Sequence, residues 1–189
     1  MLKDAVADWL IKLNYSLDDE NFHETPDRVV RAWRELMASE EEVSNAVSKI
    51  LGKRFPSCYE GVILVSPISV VSMCPHHLLP VLYDIDFAYL PKDFVVGLSK
   101  VPRFLKQMGR LLLLQEDFTR RVLEVFERYV DTAGCFIQVR GLHSCMFARG
   151  IQQEAVVRTI FVTGKFRDSL ELREEVLHSL SLKNKGIGG

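Results

Sequence analysis

A chain of 189 residues is long enough for one domain with a substantial core, and its 48% hydrophobic and 26% charged residues are ordinary for a globular protein. A formal net charge of −1 gives no overall electrostatic case for nucleic acid as a partner. No apolar run approaches the roughly 20 residues of a membrane-spanning helix, so a helical membrane role is set aside.

In chain order, Met1 to about Leu51 reads as helical. Leu2, Val6, Trp9, Leu10 and Leu13 fall at helical spacing, and the interspersed acids argue against a secretion signal, which places the protein in the cytoplasm. Thr25-Pro26 reads as a helix start with Thr25 as N-cap, and a further helix runs through EEVSNAVSKIL. From Gly61 the pattern turns to strands: GVILVSP and SVVSM are rich in β-branched residues, and DIDFAYLP alternates apolar with polar. VVGLSK ends a short strand, and Ser99 caps a helix to about Arg110. QEDFTRRVLEVFERYV is amphipathic, with Phe118, Val122, Val125, Phe126 and Tyr129 on one face and Gly134 as its stop. CFIQVRGL and EAVVRTIFVTG are two more strands, and SLELREEVLHSLSL is a closing helix with Ser169 near its cap. The tail KNKGIGG reads as mobile. The sum is an α+β protein: an N-terminal helical segment over 1–55, then a body over 56–189 with an antiparallel sheet and helices on one face.

The four cysteines read as thiols or metal ligands rather than a disulfide framework. Cys58 and Cys135 have no ligand-like company and read as structural. Cys74-Pro75-His76-His77 offers a thiol and imidazoles within reach of one ion, and His143-Ser144-Cys145 offers another of each at the end of a strand. Two thiolates, one imidazole and a water make a catalytic rather than a structural zinc site, and the two spare histidines are then free to move protons. Singly, Cys145 is more often a buried apolar thiol and His77 a hydrogen-bonded loop residue.

From about Thr25 to the closing helix the sequence resembles the GTP cyclohydrolase I family. That family's metal motif is Cys-x-His-His followed far downstream by His-x-Cys, here Cys74, His76, His77, His143 and Cys145. The match implies Zn²⁺ on Cys74, His77 and Cys145, with His76 and His143 as the catalytic pair. Ser99 and Lys100 in Gly97-Leu98-Ser99-Lys100, with Arg103, are similar to the segment that holds ribose and triphosphate. Gln115-Glu116 resembles the guanine-reading pair. Met146-Phe147-Ala148-Arg149-Gly150 resembles the segment that adds a further phosphate arginine, here Arg149, and Thr25-Pro26-Asp27-Arg28 with Arg31 resembles the motif supplying two more cations. Arginine forks suit phosphate oxygens, and a Glu116 carboxylate can accept from guanine's N–H edge. Taken singly, each of these cations is more often a solvated surface charge, and Glu116 a helix N-terminal acid.

The resemblance implies hydrolytic opening of the GTP imidazole ring, release of formate, and closure to 7,8-dihydroneopterin triphosphate. It also implies the tunnelling fold and a homo-oligomer, a decamer, with sheets joined edge to edge and active sites between subunits. Pro75 departs from the pattern: the family's usual residue there is Glu, and proline keeps the ligand spacing while removing a carboxylate and an N–H. Two other readings compete. The related nitrile reductases also have Pro after their nucleophilic Cys, but lack the downstream His-x-Cys. A non-catalytic zinc-stabilised module would leave His76, His143, Glu116 and the cations without a role.

Overall fold

The computed structural model describes residues 1–182, so the tail reading falls outside the described residues. Three helices open the chain: α1 (Leu2–Lys12), α2 (Thr25–Leu36) and α3 (Glu40–Leu51). Pro26 lies in the first turn of α2 as expected, but the N-cap is Glu24, and the Thr25 hydroxyl donates back to Asn21 O at 3.3 Å. In α3, Ser39 and Glu42 form a capping box, each satisfying the other's backbone N–H. The apolar face of α3, with Val43, Val47 and Leu51, enters the main core.

The short β1 (Arg54–Pro56), unforeseen in the sequence, pairs with β4 (Phe94–Val96). The principal sheet is antiparallel, in the order β2 (Ile63–Met73), β3 (Pro80–Pro91), β5 (Thr132–His143), β6 (Val156–Val162). GVILVSP and SVVSM thus form one strand. Its register shifts between Val65 and Ile68, around Pro67, which has no N–H to give the ladder. Helices α4 (Lys100–Met108) and α5 (Gln115–Tyr129) connect β4 to β5 and cover one face, where Tyr83, Ile85, Phe87 and Tyr89 of β3 meet Phe104, Phe118 and Phe126. Helix α5 ends at Tyr129; Gly134 lies inside β5, where a Cβ would come within 2.6 Å of Thr163 O. That close approach, not helix termination, is what glycine permits there.

The short α6 (Ser144–Phe147) follows β5, and α7 (Lys165–Asp168) and α8 (Leu170–Ser181) close the chain. Ser169 caps α8 through Leu172 N–H. Helices α7 and α8 pack on one end of the sheet's other face, over the cross-strand row Leu64, Ala88, Phe136 and Val162. On that same face Arg140 bridges two carboxylates, donating to Asp84 Oδ2 at 2.7 Å and Asp86 Oδ2 at 2.6 Å. Asp86 is 1% exposed and also accepts from Gln138 and Ser66.

Arg140→Met is therefore expected to destabilise the fold by about 3 kcal/mol, because it strands a buried carboxylate. Arg120→Met, which breaks exposed pairs with Asp117 and Glu124, should cost no more than ~0.5 kcal/mol. Urea denaturation measures both. A loss under ~1 kcal/mol at Arg140 would show that Gln138 and Ser66 alone satisfy Asp86.

Candidate active site

Two chain reversals at the same end of the sheet build the site. The first is the loop that joins β2 to β3. Cys74 N–H donates to Leu79 O at 2.9 Å and Leu78 N–H to Cys74 O at 2.8 Å, with Leu78 in the left-handed region at φ 50°. These two bonds close the loop into a tight knot and present His76 and His77 outward. The second is the turn from β5 into α6, pinned where the Ser144 hydroxyl donates to Pro80 O. Val81 of β3 lies opposite His143 of β5, so the ladder itself brings the two motifs together.

Cys74, His77 and Cys145 present donor atoms that all lie within 4.8 Å of one another, and Cys74 Sγ is 3.6 Å from His77 Nδ1. One zinc ion with bonds of about 2.0–2.3 Å needs donors roughly 3.5–4 Å apart, so a small side-chain adjustment suffices. Two soft sulfurs and an imidazole are the donor set that suits zinc. Burial, reinforced by the adjacent Cys74 thiol, pushes Cys145 above the usual thiol range. A divalent cation would reverse this, since thiolates are its ligands.

These three residues line a cavity of about 210 Å³ together with His76, Gln115, Glu116 and His143. Seven of the residues singled out in the sequence thus converge on one hollow. A larger hollow of about 760 Å³ on the sheet's other face has none of the seven. His76 and His77 stand edge to face, 6.1 Å between centroids, so the neighbours point in different directions. His143 stands edge-on to Tyr83 and its Nε2 lies 2.8 Å from Gln115 Oε1. Burial lowers the His143 pKa, opposed by the nearby Glu116 carboxylate. Burial raises the phenol of Tyr83 well above its ordinary range, helped by Cys74 and Glu116, so it stays neutral. Arg149, just past α6, is exposed but close enough for its charge to act on Cys145.

The other phosphate candidates stand elsewhere. Ser99 is the N-cap of α4, Lys100 donates to Ile50 O at the end of α3, and Arg103 is exposed one turn on. This corner adjoins Tyr89, whose hydroxyl accepts from Val96 N–H. Tyr89 is eight residues along β3 from Val81, about 25 Å at strand rise. Arg28, paired with Glu24 at 2.5 Å, and Arg31 lie on α2 and do not line the cavity. Besides Tyr83, two contributors escaped the sequence reading. One is Gly141, over which Gln115 reaches His143; a glycine inside a strand pattern was the available sign of close approach. The other is Ser144, for which the sequence held no signal.

A family model for GTP cyclohydrolase I matches residues 2–181. The chain is 31% identical over 179 residues to a GTP cyclohydrolase 1 of Rickettsia felis, covering 93% of each chain. It is 32% identical to one of Pseudomonas putida, covering 93% of this chain and 92% of the relative. It is 34% identical to one of Rhodopirellula baltica, covering 93% and 76%. Among solved structures, the apo form of the archaeosine synthase QueF-Like overlaps 57% of this chain and 97% of that one at 15% identity and a TM-score of 0.45, too distant a likeness to inform the site. The two-strand, two-helix, two-strand body, its paired Cys-x-His-His and His-x-Cys termini and a match along nearly the whole chain agree: the protein is a member of the GTP cyclohydrolase I family.

Proposed function

We propose that the protein hydrolyses GTP, opening the imidazole ring of the guanine, releasing formate and closing the product to 7,8-dihydroneopterin triphosphate. The observation that carries this is the content of the small cavity: three metal-type donors beside two histidines that the metal does not need and a carboxylate at the head of α5. A purely structural zinc site has no use for the last three. Zn²⁺ is the proposed resident ion, on Cys74, His77 and Cys145, and when bound it supplies a Lewis acid beside the base. His143 and His76 accept and return protons as the ring C–N bond breaks, Glu116 receives the N–H edge of guanine, and Tyr83 walls the base from solvent.

The triphosphate is held, not cleaved, so its binding energy serves positioning. Arg149 lies close enough to the metal donors for its charge to act on Cys145. Ser99, Lys100 and Arg103 are assigned to the same triphosphate but sit at the remote end of the sheet, beside Leu98, which is 70% exposed. The economical solution is a neighbouring copy that brings its α4 corner to this cavity, the arrangement expected of a decamer joined through the free edges of β2 and β6. Arg28 and Arg31, on α2, are assigned to the same anion by the same route.

The test is turnover with and without sharing. Zinc-loaded protein incubated with GTP should release formate and a fluorescent pterin. Cys74→Ala and Arg103→Ala should each be inactive alone. Unfolded together and co-refolded, they should recover roughly a quarter of parental turnover, since sites drawing an intact half from each neighbour arise by chance assortment. Turnover in the parent without recovery in the mixture would place both halves of the site in one chain. No formate from the parent would remove the cyclohydrolase reading itself.

A further inference from the structure

Gln115, the first residue of α5, is 3% exposed, yet its amide is fully engaged. Nε2 lies 3.2 Å from Val139 O, 3.1 Å from Val157 O and 3.2 Å from the Thr159 hydroxyl. The Thr159 hydroxyl meets Thr119, which in turn lies 2.6 Å from Gln115 O, closing the network. Backbone carbonyls only accept, so the amide nitrogen must face them; the flipped amide would set oxygen against two oxygens. Oε1 is thereby turned to His143 Nε2 at 2.8 Å. An amide oxygen also only accepts, so His143 Nε2 must carry a hydrogen whether the ring is neutral or charged.

The bond runs directly over Gly141. A Cβ there would lie 2.2 Å from Gln115 Oε1 and 3.1 Å from His143 Nε2. Any side chain would displace the amide, and this accounts for a glycine in the middle of a paired strand.

Resting on the cyclohydrolase reading, we propose that Gln115 is a positioning residue that locks His143 in the Nε2–H tautomer, in the space Gly141 leaves, so that the transferred proton comes and goes only at Nδ1. With both amide hydrogens committed to Val139, Val157 and Thr159, Gln115 has no side-chain N–H left to donate to the base. The N–H edge of guanine is then read by Glu116.

The test combines ¹⁵N-histidine NMR of the zinc-loaded full chain, His143 being assigned by its absence in His143→Ala, with GTP kinetics of the parent, Gln115→Met, Gln115→Glu and Gly141→Ala. The parent should show His143 protonated on Nε2 alone. Gln115→Met and Gly141→Ala should show mixed tautomers and a kcat about 10²-fold lower, with KM changed less than ~3-fold. Gln115→Glu, whose carboxylate can accept the same hydrogen, should retain more kcat than Gln115→Met. A parent with His143 protonated on Nδ1 would overturn the proposal. So would a Gln115→Met with kcat intact, a raised KM and admission of ATP, which would return Gln115 to base reading. Should Gly141→Ala not fold, Gln115→Met decides. Should the parent not turn over GTP, the cyclohydrolase reading fails, and the NMR result alone decides the tautomer.

Discussion

Cys145→Ala is expected to lose bound zinc and turnover together while keeping its circular dichroism. Cys145 sits on α6, beyond the last ladder pair of β5, and is only partly buried, so its thiol contributes little to the core. Its removal leaves one thiolate and one imidazole, and two donors hold zinc poorly at neutral pH, where protons compete for the thiolate. Metal content should fall from about one ion per chain to near zero, and formate release by more than the ~10²–10⁴-fold that loss of one proton-transfer group alone brings. Metal analysis and a formate assay on one preparation measure both. A variant that keeps parental zinc would remove Cys145 from the ligand set.

The second large effect separates chemistry from metal binding. His143→Ala should keep its zinc and lose turnover by about 10²–10⁴-fold. The reason lies in placement: His143 is engaged by Gln115 through Nε2 and lies outside the cluster of three donors, so the ion does not depend on it. His77→Ala should show the converse, since His77 Nδ1 already faces Cys74 Sγ. His76→Ala should resemble His143→Ala. If His76→Ala released zinc and His77→Ala retained it, the roles of the two neighbours would be exchanged. If all three retained zinc and full turnover, the cavity would have no catalytic role.

The strands of the principal sheet and helix α5 were legible in sequence because of their apolar patterns: Tyr83, Ile85, Phe87 and Tyr89 alternate, and Phe118, Val122 and Phe126 recur at helical spacing. Local reasoning failed where tertiary contacts set the conformation. Gly134 resembles a helix stop, but its lack of a side chain answers to the backbone at Thr163, 29 positions on. Strand β1 has three exposed residues and no periodicity, so nothing local announces it. The candidate metal donors stood out in sequence because thiol and imidazole are rare, and their spacing fits one ion. The distance of Lys100 and Arg103 from the cavity was not: they are phosphate-type side chains in any sequence, and only the length of β3 puts them at its far end. Gln115 illustrates a third limit. Its residue type suits reading a base as well as it suits holding an imidazole, and only its surroundings separate the two.

The pairing of β3 with β5 bears on folding fidelity. Val81 lies opposite His143, and neither zinc motif extends beyond the adjoining turns, so the site inherits its geometry from the ladder. A slip of one residue would carry His143 and Cys145 about 3.3 Å along the strand and turn His143 away from the cavity. The same slip would expel Cys135, Ile137 and Val139 from the core. The apolar rows thus act as a proofreading device for the centre at their end. On the proposed zinc reading, capture of the ion requires the alignment of some ten residue pairs behind it, so metal uptake during refolding is expected to report the last correct pairing.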